Sequence, residues 1–320
     1  MQSNFRFLFL LMLGVRLAGA APTWQQTDAS LALRDGDRIV WQLNFPKDEG
    51  KPYFHPLNLA DGTTITALRP ADHPWHRGLW WSWKYINHTN YWEEDKKTGK
   101  SAGLTDLVSV KAEPQANHSA RVEMALNYHL PDKPPVMTEK RVLEVSAPDA
   151  KGNYYIDWLA TFTAGNEDLV LDRTPPKNFS GGYAGLSCRM AKEIKGSIQT
   201  LLVHDSPVVR PGGIETKITG WTYTSSEGVT GSKENYGKQA RWLDYSKAGG
   251  IAIFDHPSNL RHPTTWYPNE MPFFSPALLF AEPYTLAAGK MLTLRYRVVV
   301  HSETLDKDAL EKQWQNFAKN

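Results

Sequence analysis

The chain has 320 residues, 41% of them hydrophobic, and a formal net charge of +2 at pH 7. A charge this close to neutral removes the main electrostatic reason to expect a nucleic acid as partner. The single cysteine, Cys188, excludes an internal disulfide, so packing alone must stabilise the fold.

The beginning of the chain has the pattern of a secretory signal peptide. An apolar run over residues 7–15 precedes Ala18-Gly19-Ala20, whose small residues match a cleavage site. The run is too short to cross a bilayer, and no later stretch approaches the roughly 20 apolar residues that a membrane helix needs. We therefore expect removal of residues 1–20, no membrane span, a single domain over residues 21–320, and a periplasmic or secreted protein.

Alternation of apolar and polar residues recurs along the chain and predicts strands. The clearest segments are residues 121–130 and 154–163. Further segments are residues 38–45, 63–68, 140–145, 168–171, 197–203, 214–223, 241–245, 250–254, 277–280 and 291–301. Only residues 306–317 have helical spacing, with Thr304 or Asp306 able to cap the helix. Many short strands with one terminal helix predict an all-β chain, either a sandwich or a barrel, and we expect an antiparallel β-sandwich.

Histidine and tryptophan are concentrated between residues 55 and 94, where five of the twelve tryptophans fall. Histidine titrates near neutral pH, arginine binds carboxylates, and tryptophan offers a flat apolar face to a sugar ring. The mixture predicts a lined pocket. In an extended stretch Trp80 and Trp83 point to opposite faces, so one faces the core and the other the pocket. The candidate substrate-binding residues of this stretch are His55, Arg77, Trp80 and Trp83.

His73 and His76 are the candidate catalytic histidines of this stretch. Pro74 lies between them and predicts a loop rather than a helix. Two histidines this close indicate an acid/base pair or part of a metal site, and a hydrogen-bonded structural pair is the alternative. A metal normally needs three or four ligands, and the spacing matches no zinc or cupin-type signature. We therefore predict no cofactor, with a divalent metal as the alternative.

A second polar cluster follows the apolar segment 250–254 and repeats the Asp-His-Pro order of the first. Loops at the end of a rigid strand often carry functional residues. If the two clusters converge, they form one pocket with arginines, histidines and aromatic walls; otherwise the second is a pair of polar loops joined by salt bridges. Its candidate substrate-binding residues are Asp255, His256, Arg261, His262 and Tyr267.

Glu282 and Arg189 complete the candidate site. Glu282 ends an apolar segment and precedes a proline, where partial desolvation raises the pKa of a carboxyl group and suits it to acid/base catalysis. A solvated turn glutamate is the alternative. Arg189 follows a glycine-rich approach to an apolar strand, and we assign it to substrate binding.

Several ordered motifs resemble a bacterial family labelled methane oxygenase PmoA-like, over about residues 50 to 301. They are residues 72–80 with Asn87 and Trp92, residues 181–186, residues 251–259 with 262–264, and residues 279–286 with 294–297. A membrane methane monooxygenase subunit would need several transmembrane helices, which this sequence lacks. The resemblance instead implies an exported protein of polysaccharide-degrading bacteria with a fold similar to the galactose-mutarotase-like supersandwich.

In mutarotase-like enzymes a histidine is the general acid and a glutamate the general base. That role pattern implies His73 or His76 opposite Glu282. We therefore expect an exported carbohydrate-active enzyme that acts on an oligosaccharide or modified sugar as a lyase, dehydratase, epimerase or hydrolase. The alternatives are a non-catalytic carbohydrate-binding protein and a metal-dependent cupin-like enzyme. The sequence makes no prediction of the oligomeric state.

Overall fold

The computed structural model describes residues 21–192 and 220–319. The expected signal peptide, the predicted strand 197–203 and residues 214–219 lie outside the described residues. Within the described ranges, no helix combines the length and apolar character needed to cross a bilayer.

Short strands dominate the described part of the chain, with two helices. The elements are β1 (Thr23–Thr27), β2 (Ser30–Asp35), β3 (Arg38–Asn44), β4 (Tyr53–Leu57), β5 (Leu79–Ser82), β6 (Tyr85–Ile86), β7 (Thr89–Asn90), β8 (Leu104–Pro114), β9 (Ala120–His129), β10 (Met137–Val145), β11 (Tyr154–Ala164), β12 (Leu169–Asp172), β13 (Gly185–Arg189), β14 (Thr222–Ser225), α1 (Ser232–Asn235), β15 (Trp242–Ser246), β16 (Gly250–Asp255), β17 (Trp266–Asn269), β18 (Phe273–Pro276), β19 (Tyr284–Leu286), β20 (Met291–His301) and α2 (Lys307–Phe317).

The strands form two eight-stranded sheets and one four-stranded sheet. The first sheet has the order β1-β2-β3-β4-β5-β13-β18-β17, and the second has the order β14-β15-β16-β20-β11-β10-β9-β8. The third joins β19, β12, β6 and β7. Neighbouring strands pair antiparallel, as in β10 with β11 and β5 with β13. The predicted all-β antiparallel sandwich with a C-terminal helix is confirmed.

The main core lies between the two large sheets. Successive side chains of a strand point to opposite faces, so each strand contributes every second residue to it. In β5, Leu79 and Trp81 face this core, whereas Trp80 belongs to a separate cluster on the other face of the sheet. The rings of Trp81 and of Phe162 in β11 lie 5.0 Å apart and join the two sheets.

Helix α2 covers the outer face of the second sheet. Asp306 caps it by accepting a hydrogen bond from the backbone N–H of Ala309 at 2.8 Å, as predicted. Leu310 and Phe317 pack on Phe254 and the neighbouring outward side chains of that sheet. The sandwich thus has two outer faces: helix α2 covers that of the second sheet, and the other is the outer face of the first sheet.

Two of the predicted strands that fall on described residues are wrong. Residues 63–68 form only isolated bridges, such as the one between Thr66 and Met190, and no continuous strand. Residues 277–280 form a turn, in which the backbone N–H of Phe280 donates to the carbonyl of Ala277 at 2.9 Å. The apolar run is explained by burial of Ala277, Leu278 and Leu279 without strand pairing. A short buried apolar run does not distinguish a strand from a packed turn.

Candidate functional site

Aromatic and imidazole rings cover the outer face of the first sheet. Trp80 and Phe273 point outward because their neighbours Leu79 and Phe274 face the core. Further rings come from loops that fold over the sheet. We call this cluster the ring face, and its members are His73, Trp75, His76, Trp80, Trp92, Tyr183, Tyr267 and Phe273.

The loop that carries the two histidines is fixed to the sheet by backbone hydrogen bonds. Gly78 donates to the carbonyl of Ala67 at 2.9 Å, and Arg189 donates to the carbonyl of Gly78 at 2.7 Å. Gly78 has a φ of 64°, and a β-carbon there would come 2.4 Å from the carbonyl oxygen of Phe54. Only glycine fits this approach, so the end of the loop is held tightly against the neighbouring strand.

His76 is the inner histidine of the ring face. It is stacked between His73, with ring centroids 4.7 Å apart, and Phe273, at 5.1 Å. Trp80 lies beneath it at 5.1 Å. Burial, aided by the positive charge of Arg189, lowers the pKa of His76 to about 2. His76 is therefore a neutral side chain fixed by packing.

His73 is the outer histidine, and 34% of its side chain is exposed. Its Nδ1 lies 3.5 Å from Oδ2 of Asp72, a loose contact that orients the ring. Partial burial lowers the pKa of His73 from its usual value, and the adjacent Asp72 opposes that shift. At neutral pH His73 is a neutral, accessible imidazole beside a carboxylate.

Arg189 holds that carboxylate. Its buried guanidinium donates two hydrogen bonds to Asp72, at 3.0 and 2.8 Å, and lies 3.5 Å from Nδ1 of His76. Lys192 approaches Asp72 from the solvent side at 3.2 Å. These cations keep the pKa of Asp72 well below its ordinary value, although burial acts in the opposite direction. Asp72 therefore stays ionised beside His73.

Several polar atoms of the ring face and its surroundings are buried but have no hydrogen-bond partner within the described residues. They are Nδ1 of His73, Nε1 of Trp75, Nε1 of Trp92 and Nε of Arg189. A buried polar group without a partner costs stability unless something else satisfies it. Similar unpaired atoms occur in the main core, such as Nε1 of Trp81 and of Trp158, so these four atoms do not by themselves mark a ligand site.

The predicted meeting of the two Asp-His-Pro loops is wrong. His256 contacts Phe317 of α2 with ring centroids 5.1 Å apart, and His262 stacks on Trp314 of α2 at 6.0 Å. These histidines thus pack under the helix that covers the second sheet, whereas His73 lies on the first sheet. Sheet order places the two loops on opposite outer faces of the sandwich.

Asp255 is the centre of this second cluster. It is fully buried and accepts hydrogen bonds from His262 Nδ1 at 2.7 Å, from Asn259 Nδ2 at 2.7 Å and from the Thr264 backbone at 2.9 Å. Nδ1 of His256 bonds to the Ser258 hydroxyl at 2.7 Å. Asp255, His256 and His262 are thus engaged in holding loop and helix together, which removes the geometric basis for assigning them to substrate binding.

Arg261 and Glu282 bind each other and the turn around them. Arg261 donates to the backbone carbonyls of Leu278, Glu282 and Pro283 at 2.8–2.9 Å. It also forms an ion pair with the Glu282 carboxylate at 3.1 Å. The Glu282 side chain is 72% exposed, so the expected desolvation is absent and the carboxylate has the environment of a solvated turn.

Arg77 lies in an ion cluster with buried Lys51 and Glu94 and with the more exposed Glu49 and Arg69. Its guanidinium binds Glu49 at 3.2 Å and also binds Glu94. Arg69 bridges the same two carboxylates at 2.9 and 3.0 Å. Lys51 lies 3.7 Å from Glu94, and burial, aided by Arg77, lowers the pKa of Lys51 to about 7. Arg77 is therefore occupied by protein carboxylates, contrary to the prediction that it binds a substrate carboxylate.

The remaining predicted residues divide between core and site. Trp83 is completely buried against Trp81 and Phe162 in the main core, so its predicted contact with substrate is wrong. His55 is half-buried in β4 and contacts the Thr66 hydroxyl at 3.0 Å. The structure brings His73, His76, Trp80, Arg189 and Tyr267 together at the ring face.

Sequence reasoning missed several residues of this site. Trp75 and Trp92 belong to the conspicuous tryptophan-rich stretch, and Asp72 precedes the first histidine, so residue type gave a signal for all three. Tyr183 and Phe273 carried no signal, because they come from distant segments that only sheet pairing brings to this face. Within the described ranges, no three His, Cys, Asp or Glu side chains converge to hold a metal ion.

The sequence profile of one protein family matches residues 30–315. The chain belongs to that family of unknown function, DUF6807. The resemblance to a PmoA-like family is corrected by this match, which shows no PmoA family. No curated protein matches the DUF6807 chain.

Among solved structures, an alpha-galactosidase from Lactobacillus brevis is similar to this DUF6807 chain with a TM-score of 0.38 and 8% sequence identity. The alignment covers 88% of this chain and 39% of that enzyme, so the chain spans well under half of its length.

Proposed function

We propose that the chain is a carbohydrate-active enzyme that binds a sugar on the ring face and uses His73 to transfer a proton. The observation that carries the proposal is the neutral, partly exposed imidazole of His73, which stands between ionised Asp72 and a wall of aromatic rings. Trp80, Tyr267 and Arg189 keep their predicted place in this proposal, because they form or support the same surface.

The ring face suits a sugar because it combines apolar rings with polar atoms. Trp75 and Tyr183 are half-buried and leave part of their surface open. A flat ring can stack on the C–H face of a sugar, while a few placed polar groups orient its hydroxyls. Asp72 supplies a partly exposed acceptor, and the exposed ammonium of Lys192 beside it supplies a donor.

His73 has the properties of a general base. A neutral imidazole can accept a proton through Nε2 while Nδ1 faces a carboxylate that stabilises the resulting cation. Asp72 is placed for this role, 3.5 Å from Nδ1. The proton would come from a water molecule in a hydrolase, from a sugar hydroxyl in an epimerase of the mutarotase type, and from a carbon beside a carbonyl in a lyase or dehydratase.

A non-catalytic carbohydrate-binding protein is the second candidate. Two observations favour it: Asp72 is paired with Arg189, and Phe273 covers the ring of His76. Both contacts hold the surface rigid, and neither provides a second group for proton transfer. The two candidates differ in whether His73 matters for turnover or only for affinity.

A panel of neutral and acidic oligosaccharides, with product detection by mass, tests the proposal. Wild-type protein should bind at least one member and change its mass by loss or gain of water or, for an epimerase, change its NMR spectrum. Trp75→Ala should weaken that binding, whereas His88→Asn, at an exposed histidine with a φ of 65°, should not. Lack of any binding, or binding insensitive to Trp75→Ala, contradicts the proposal.

A further inference from the structure

We infer that the ring face continues into a second cleft around Phe179, so that the ligand is an oligosaccharide with a distal unit bound there. This inference rests on the proposed function, since it extends the same surface. It adds a distal binding residue, Phe179, and a substrate class, a chain of several sugar units rather than a single sugar.

Continuity of the rings is the first observation. Phe273, which stacks on His76, lies 5.7 Å from Tyr267, and Tyr267 lies 5.5 Å from Tyr236. Tyr236 in turn contacts Phe179 with centroids 5.3 Å apart. An unbroken row of ring contacts therefore leads from the proposed catalytic histidine to Phe179. The accessible ends of the row are His73 and Phe179.

The second observation is a cleft at the far end of this row. It has a volume of about 240 Å³ and is lined by Asn178, Phe179, Ser232, Lys233, Pro268, Asn269 and Glu270. Its wall is joined directly to the ring face, because the Asn269 side-chain amide donates to the Tyr267 hydroxyl at 3.2 Å. The cleft and the ring face thus share a wall at Tyr267, which is itself buried beneath them.

Phe179 itself is presented in an unusual way. Its side chain is 52% exposed, and its φ is 59°, next to a φ of 49° at Asn178. A bulky residue rarely adopts this left-handed conformation, and such strain persists only where surrounding contacts impose it. Reciprocal backbone hydrogen bonds between Lys177 and Ser180, at 2.8 and 3.0 Å, and the Tyr236 hydroxyl on the Ser180 carbonyl hold the turn. The turn holds an apolar ring open to solvent beside the cleft.

The chemistry of the cleft fits a sugar unit. One exposed aromatic ring stands beside amide side chains, and the charges of Lys233 and Glu270 compensate each other in an ion pair of 3.1 Å. A flat apolar face with neutralised charge and hydrogen-bonding groups matches a polyhydroxylated ring better than it matches an anion or an apolar chain.

The test measures how affinity depends on oligosaccharide length, with and without the aromatic ring of Phe179. Probes are cello-, xylo- and galacturono-oligosaccharides of two, four and six units, titrated calorimetrically. For whichever series binds, wild-type affinity should rise from two units to six. Phe179→Ala should reduce the affinity for the hexamer roughly fivefold, the effect of one lost ring contact, and leave that for the dimer unchanged. Phe179→Trp should restore it.

Met291→Ala is the matched control, since Met291 is 68% exposed but lies on β20 of the second sheet. It should bind every probe as wild type does. Equal affinity for dimer and hexamer, or a hexamer affinity unchanged in a folded Phe179→Ala variant, overturns the inference while leaving the proposed function intact. Failure of every probe to bind, or binding insensitive to Trp75→Ala, overturns both.

Discussion

The imidazole of His73 lies over that of His76, with centroids 4.7 Å apart and ring planes 24° from parallel. Burial, together with the neighbouring His73 ring, disfavours protonation of His76. The inner ring is sealed by Phe273 and Trp80, whereas the outer one is open and faces Asp72. His76 therefore supports the surface, and His73 is the ring that we propose exchanges protons.

Loss of stability in acid should depend on His76. Its folded-state pKa is lowered from 6.5 to about 2, so between these values the unfolded chain binds a proton that the folded chain does not. Stability is therefore full above pH 6.5 and is lost as pH falls. From pH 6.5 to 5 this residue accounts for about 2 kcal/mol. Urea unfolding of wild type and His76→Gln at both pH values measures the difference.

The His88→Asn protein is the reference for that experiment. Its exposed side chain should leave the acid dependence as in wild type. If His76→Gln loses as much stability between pH 6.5 and 5 as wild type does, His76 is not held neutral in the folded state.

Lys51 should make stability depend on pH with the same sign as His76, but in a higher pH range. Its folded-state pKa is about 7, below the ordinary 10.5, so the unfolded chain holds the extra proton between these values and stability rises with pH. From pH 7 to 8.5 the gain is about 2 kcal/mol, and Lys51→Met should abolish it. Stability should be measured below pH 9. Burial raises the pKa of the Cys188 thiol in the folded state, so above that pH the ionisation of this thiol makes stability fall as pH rises. A slope unchanged by the substitution contradicts the assignment.

Asp255→Ala should destabilise the fold without altering the ring face. The change leaves His262, Asn259 and Thr264 with buried donors that lack an acceptor, at a cost of about 3 kcal/mol or more. Hydrogen exchange in α2 should quicken, because His262 loses the Asp255 carboxylate that orients it, and His262 stacks on Trp314 of that helix.

Asp106→Ala is the matched control for that change, since Asp106 also pairs with a histidine, at 2.9 Å from His129, but is 60% exposed. It should cost less than about 1 kcal/mol. Loss of sugar affinity in Asp255→Ala at unchanged stability would return Asp255 to the substrate-binding residues.

The strands were largely predictable because one large sheet is buried on its inner side along long, regular strands. β9 alternates buried Val122, Met124 and Leu126 with more exposed residues, and the sequence pattern shows it directly. The opposite orientations of Trp80 and Trp83 also followed from the period of two. Which of them faced the core did not, because that depends on the partner sheet.

The composition of the site was predictable, but its position was not. His73, His76 and Arg189 do meet, although His76 is buried and Arg189 is paired with Asp72. The repeated Asp-His-Pro order implied convergence of two loops, yet sequence similarity carries no information on which outer face each loop reaches. Arg77 illustrates the same limit. An arginine side chain can bind the carboxylate of a ligand, but in the fold Arg77 is paired with the carboxylates of Glu49 and Glu94.

The most direct test of the account compares turnover and affinity in His73→Gln, using the oligosaccharide that the wild-type protein converts. The variant should lose at least about 100-fold in kcat while its Kd changes less than about threefold, because the proton acceptor is removed but the rings remain. Wild-type kcat/KM should rise with pH through a pKa below 6.5, since burial lowers that of His73. Unchanged turnover, or turnover and affinity falling together, contradicts a catalytic role for His73.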